Sequence, residues 1–276
     1  MTSTPLIDFH DGHSIPQLGF GIWQIPQDET AAAVESALNT GYRLIDGAFI
    51  YGNEAGLCEG LKRSDVAREE VFVTTKVWND AHGRDRARAS VDRSLKSIGV
   101  DQLDLVLIHW PVPSQDLYVE TWEALIEMRN EGLMRSIGVS NFNADHLARL
   151  IKETGEAPVL NQIEINPQLQ QPELRAVCDA HRIVVQAWTP LGSGKSFDAE
   201  PIKAAAARTG KSPAQVILRW HLQLDHAVIT RSVNPRRQAE NLDVFDFTLT
   251  GDEMKAIAGL DVGLRNGPDP SVFKLM

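Results

Sequence analysis

The chain is 276 residues long, enough for one large domain or two small ones, and at 43% hydrophobic it can bury a sizeable core. Its 27 basic and 37 acidic residues leave a formal charge of −10. An acidic surface without a basic stretch argues against nucleic acid or an anionic membrane as a bulk partner, so any anion must bind a local cluster.

The two cysteines, Cys58 and Cys178, fall on separate predicted helices and read as packed thiols of a reduced compartment rather than a disulfide framework. No apolar run approaches the ~18 residues of a spanning helix, and the opening MTSTPLIDFHDGHS lacks the pattern of a signal peptide. The expectation is a soluble cytoplasmic protein.

Residues 5–18 predict two short strands around the turn signal His10-Asp11-Gly12-His13. In LGFGIWQIP, Gly19 and Gly21 flank Phe20 and permit a close approach of backbone to another group. Asp28 is expected to cap a helix, 29–39, that carries Ala33, Val34 and Leu38 at helical spacing and stops at Gly41. From there a strand–helix unit recurs in kind. Strands are expected at 43–46, 71–76, 104–109, 135–140, 159–164, 183–188 and 227–232. Helices are expected at 53–62, 85–98, 118–131, 143–153, 172–181, 199–208 and 213–223. A short helix near 235–240 and NLDVF (241–245) complete the count, and the tail 261–276 reads as a loop lying on the body of the fold. The strands are mostly continuous apolar runs, as in parallel strands buried on both faces. About eight alternations without a linker predict a single (β/α)₈ barrel domain over residues 1–276, an α/β fold with an N-terminal hairpin and a C-terminal loop. The competing arrangement, an open doubly wound sheet, lacks its G-x-G-x-x-G after the first strand.

In such barrels chemistry sits at the C-terminal ends of the strands. Those ends read Asp46, Lys76, His109, Ser140-Asn141, Gln162, Trp188 and Arg231-Ser232, and Tyr51 follows the first of them by five residues. Each alone has a packing explanation: a turn cap, a solvated lysine, a satisfied histidine, a core tryptophan. Asp, Lys and His on consecutive strand ends, with a tyrosine beside the first, have none in common. A phenol titrates near ~10 and is a proton donor at neutral pH. A lysine held by Asp46 is expected to lower that value, and a neutral His109 to orient a carbonyl oxygen. The set suits protonation of an oxygen that has just received a hydride. No serine or cysteine stands beside a base, and the eight histidines are scattered without H-x-x-x-H, so neither acyl transfer nor a metal is expected. Tyr42 precedes its strand and Tyr118 begins an outer helix, which leaves Tyr51 as the acid.

The motifs GYRLIDGAFIYGNE, TTKVWND, LVLIHWP, GLMRSIGVSNF, NQIEINP, QAWTPLG and ITRSVNPRRQAEN together resemble the aldo-keto reductase family over nearly the whole chain. The likeness is greatest to bacterial members that reduce 2,5-diketo-D-gluconate and related small carbonyl compounds. The resemblance implies a monomer that binds NADPH in extended form and reduces aldehydes or ketones, with Asp46, Tyr51, Lys76 and His109 as the catalytic four. It assigns Ser140, Asn141 and Gln162 to the carboxamide, Trp188 to a stack on the nicotinamide, and Leu191, Gly192 and Ser193 to the pyrophosphate. Arg231, Ser232, Val233, Arg237, Glu240 and Asn241 would surround the adenosine phosphate. Gly21, Ile22, Trp23 and Asp46 are further cofactor positions. Trp23, Phe49, Trp78 and Trp110, with Tyr51 and His109, would wall an apolar substrate pocket.

The chain departs from the family pattern in three places. Gly47 replaces the usual Thr or Ser, Phe49 stands where a small residue is common and should intrude on the pocket, and Thr230-Arg231-Ser232 replaces Pro-Lys-Ser. Arg231 keeps the charge, so NADPH should be preferred with measurable NADH activity. Two other readings compete with a reductase. One is a cofactor-binding regulatory subunit of the same fold, which the complete catalytic four argues against. The other is a lyase or isomerase with a Schiff-base Lys76, which leaves Tyr51 and Arg231 unexplained.

Overall fold

The computed structural model describes residues 4–275. Strands β1 (Leu6–Asp8) and β2 (Ser14–Pro16) form the antiparallel hairpin. β3 (Leu18–Gly21), α1 (Gln27–Thr40), β4 (Leu44–Asp46), α2 (Glu54–Arg63), β5 (Phe72–Val77), α3 (Arg84–Ile98), β6 (Leu103–Ile108) and α4 (Tyr118–Asn130) follow. Then come β7 (Met134–Ser140), α5 (Ala144–Thr154), β8 (Leu160–Glu164), α6 (Pro172–Ala180) and β9 (Val184–Trp188). α7 (Glu200–Thr209), α8 (Pro213–Leu222), β10 (Ala227–Thr230), α9 (Pro235–Leu242) and α10 (Gly251–Ala258) end the chain's regular structure. The strands close into a barrel in the order β10-β3-β4-β5-β6-β7-β8-β9, every neighbour parallel.

The barrel's first strand is β3, and NLDVF contributes no strand; it supplies the end of α9 and coil. LGFG shows no apolar run because its inward face is glycine. A Cβ at Gly19 would lie 2.5 Å from Leu44 and one at Gly21 2.6 Å from Ile229. Those two large side chains fill the interior that the glycines leave open. With Leu105, Leu107 and Leu160 they form a buried cluster drawn from alternate strands β4, β6, β8 and β10, and Phe9 and Ile15 of the hairpin close it from below. The remaining apolar faces pack the helices onto the sheet.

Asp28 is not the cap of α1. Pro26 holds that place, with φ −56°, and Asp28 sits inside the first turn, where a negative charge suits the helix dipole. The stops at Gly99 and Gly155 are left-handed, with φ of 75° at each. Cys58 and Cys178 are buried free thiols on α2 and α6, and burial pushes Cys178 up to about 11. Among the described residues, no helix is long and apolar enough to cross a membrane.

Candidate active site

Asp46, Lys76 and His109 stand at or just beyond the C-terminal ends of the adjacent strands β4, β5 and β6. Lys76 Nζ donates to Asp46 Oδ2 at 2.7 Å and to the Gly47 carbonyl at 2.8 Å. Asp46 Oδ1 accepts from Gln162 Nε2 at 2.8 Å, and the same amide donates to Gln186 Oε1 at 2.6 Å. This ion pair is almost wholly buried, so its desolvation cost must be offset by the pair itself and by these further bonds.

Tyr51 arrives from a short turn, Phe49–Tyr51, that ends in left-handed Gly52 at φ 69°. Its hydroxyl lies 3.5 Å from Lys76 Nζ and 3.5 Å from His109 Nε2, and the lysine sits 5.3 Å from the ring centre. The phenol therefore stands between a fixed cation and an imidazole. Burial, and then the negative charge of Asp46, raise Tyr51 well above the ordinary phenol value. That is opposite to the lowering expected from Lys76. The lysine lies 3.5 Å from the phenol but is paired with a carboxylate at 2.7 Å, and burial together with that carboxylate outweighs it in the resting site. Burial also lowers Lys76, opposed by Asp46. Burial, then the charge on Lys76, hold His109 well below its ordinary value, so its imidazole is neutral.

The other strand ends form one network. Asn141, at φ 62°, donates to the His109 carbonyl at 3.0 Å and to Ser140 Oγ at 3.0 Å, and accepts from Trp188 Nε1 at 2.9 Å. Ser140 Oγ donates to the Gln162 carbonyl at 2.8 Å. Thr189, the residue after β9, is also left-handed at φ 49°. Backbone strain at a β-branched residue persists only where the surroundings over-determine it.

Leu191, Gly192 and Ser193 form the following turn, with φ 55° at Gly192 and 57° at Ser193. Arg231 is exposed and donates to the Trp23 carbonyl at 3.0 Å and to Gln24 Oε1 at 2.9 Å, its guanidinium 5.8 Å from the Trp23 ring centre. Thr230 has a structural use that a proline lacks, because its hydroxyl bonds Tyr42 Oη at 3.0 Å. Asn241 is buried beside the same tyrosine. Arg237 is exposed on the first turn of α9, with Ser232 and Val233 just before that helix and Glu240 farther along it.

Three of the expected site residues have contacts of their own within the fold. The Phe49 ring lies under the Arg93 guanidinium of α3, 4.6 Å away. Ile22 is fully buried, its N–H bonded to the Asp46 carbonyl and its carbonyl to Asn53 Nδ2, so it supports the loop from within. Gly21 likewise turns its inner side to Ile229. Trp78 and Trp110 do form an aromatic wall, with Trp78 4.9 Å from the His109 ring. Trp23 stands half exposed at the rim. The wall has a member the sequence reading missed, Phe273, whose ring centre is 4.3 Å from Trp110 and 6.4 Å from Trp78. Phe273, the one aromatic in the tail 261–276, was the available signal. Gln186, also missed, was marked by being polar within a buried run.

The model of the Aldo/keto reductase family matches residues 17–262. The chain belongs to this family. It is an NAD(P)H-dependent oxidoreductase. It is 50% identical to the methylglyoxal reductase DkgA of Escherichia coli strain K12, covering 99% of each chain. To an aldo-keto reductase of Mycolicibacterium smegmatis it is 49% identical, covering 98% of each. A crystal structure of a Gox0644 variant in complex with NADPH superposes with a TM-score of 0.96 at 46% identity, covering 99% of this chain and 100% of that one.

Proposed function

We propose that this aldo/keto reductase uses NADPH to reduce small aldehydes and ketones to alcohols, dicarbonyls such as methylglyoxal, diketogluconate-like sugars and aryl aldehydes among them, with Tyr51 as proton donor. The observation that carries the reading is the Tyr51 hydroxyl, equidistant at 3.5 Å from Lys76 Nζ and His109 Nε2. Bound NADPH supplies a hydride to the carbonyl carbon. The chain's own residues serve the oxygen. Neutral His109 donates from Nε2 and orients the carbonyl, and Tyr51, kept protonated by burial, delivers its proton to the oxygen as charge develops there. Lys76 stabilises the phenolate left behind, and Asp46 and Gln162 keep the ammonium in place.

The donor set suits the nucleotide. The Trp188 indole, fixed through its N–H, offers a flat apolar face for the nicotinamide ring, and Gln162, Ser140 and Asn141 line the adjoining strand ends. Arg231 and Arg237, in an otherwise acidic protein, suit the 2′-phosphate that NADPH has and NADH lacks. Trp78, Trp110 and Phe273 favour a substrate with an apolar or aromatic side. The same reading makes the chain a single catalytic unit, active as a monomer in the cytoplasm. Tyr51→Phe keeps the ring and removes the proton. It should lower kcat by about 10²–10⁴-fold with NADPH affinity within about twofold of wild type. Oxidation of NADPH followed by absorbance against an aldehyde panel reads the rate. A near-normal kcat in the variant would remove Tyr51 from the role.

A further inference from the structure

Glu164 ends β8, is fully buried, and forms no salt bridge among the described residues. A buried carboxylate without a cation needs N–H donors on both oxygens. Three of Glu164's four come from the C-terminal segment. Oε1 accepts from Asn266 N at 2.7 Å and Asn266 Nδ2 at 2.9 Å, and also from Asn166 Nδ2 at 3.3 Å; Oε2 accepts from Gly267 N at 2.9 Å. Two contacts make this clasp more than a tether for a tail. Asn266 Oδ1 accepts from Lys195 Nζ at 2.5 Å, next to the turn at Gly192–Gly194. Gly267 packs closely against the Trp188 ring, where a Cβ would fall 2.4 Å from Cη2. The indole is thus pinned at one end by its bond to Asn141 and at the other by Gly267. Farther along, the same segment delivers Phe273 to Trp110 and Trp78, and Asn79 Nδ2 holds the Leu275 carbonyl at 2.6 Å.

We propose that Glu164 is a positioning residue that couples the two halves of the mouth. By clasping Asn266 and Gly267 it sets the Trp188 ring and the 192–195 turn on the cofactor side, and carries Phe273 to the aromatic wall on the substrate side. It touches neither ligand. The inference rests on the carbonyl-reductase reading for its kinetic readout, but its structural readout stands alone. Most of the segment is exposed, so a few anchors determine whether it stays down.

Glu164→Gln is isosteric and tests the clasp, because the new NH₂ cannot accept from a backbone N–H. Amide hydrogen exchange across 266–275 should quicken by about tenfold or more in the cofactor-free protein while exchange in the barrel strands stays as in wild type. The KM for NADPH and for a bulky aryl aldehyde should each rise about tenfold, with kcat for a small aldehyde within about threefold. Gly267→Ala attacks the same contact from the Trp188 side and should give the same split between KM and kcat. Unchanged exchange in a folded Glu164→Gln protein overturns the clasp. Faster exchange with both KM values unchanged overturns the coupling. If the wild type reduces no carbonyl with NADPH, the reductase reading fails instead, and the exchange result still judges the clasp.

Discussion

Phe49 shows how a residue's neighbours decide its role. It sits two positions from the proposed proton donor, and its ring is half-buried beneath the Arg93 guanidinium. Phe49→Ala should therefore cost stability, about 1–2 kcal/mol for a part-buried ring and a cation–π contact. Relative rates along an aldehyde size series should not change. Denaturant midpoints and that series check it, and a selective gain for bulky ketones would put the ring in the pocket after all. Gly47 is a milder case. A Cβ there would lie 3.3 Å from the flexible end of Ile22 and 3.5 Å from the Thr74 carbonyl, so the usual Thr or Ser is disfavoured by little more than a side-chain adjustment.

At the scale of an element, α9 belongs to the proposed cofactor side. Asn234 caps it, accepting from Arg236 N at 2.9 Å and Arg237 N at 3.3 Å, so the first turn is held open to solvent with its partial positive charge and the Arg237 side chain together. Arg231 is held through Nη1 by Trp23 and Gln24, whereas no side-chain hydrogen bond restrains Arg237 among the described residues. Arg237→Ala should then weaken NADPH binding by about 1.5–3 kcal/mol, the range for a hydrogen bond to a charged group, and leave NADH nearly unaffected. Fluorescence titration with both cofactors reads this. Equal losses would mean that the arginine does not distinguish the 2′-phosphate.

For the molecule as a whole, buried histidines set the acid limit. Burial lowers His82 to about 4 and His221 to about 3, and takes His109 and His226 well below the ordinary value. His221 Nε2 faces the Pro190 carbonyl and must donate to it, so its Nδ1 accepts from His226 across 3.2 Å, a pairing that requires His221 to be neutral. These four bind protons when unfolded near pH 6.5 but not when folded. Above that pH both states are neutral and they add no slope. As pH falls from 6.5 toward 4 the unfolded state takes up the protons, and stability drops by about 1.4 kcal/mol per pH unit for each histidine fully engaged. Glu54 opposes this as a single group, since burial raises its carboxyl and favours the fold as pH falls. Denaturant unfolding at pH 7, 6 and 5 should show a steep loss of stability, and a flat profile would contradict neutral burial.

The sequence by itself determined the repeating units and the residues at the strand ends. Parallel strands buried on both faces must be apolar runs, and a polar residue that ends such a run is conspicuous. That made Asp46, Lys76, His109 and Gln162 legible, and the structure brings them together. β3 was illegible because its glycines carry no pattern; only Leu44 and Ile229, facing them across the interior, explain the strand. The tertiary structure also decided what the tail does. Glu164 meets Asn266 across 102 positions, Asn79 meets Leu275 across 196, and Arg231 meets Trp23 across 208. No local period encodes such pairings. They arise because barrel closure brings the first and last strands side by side and turns every strand end toward one mouth, where side-chain packing then settles which ring faces the ligand and which faces out.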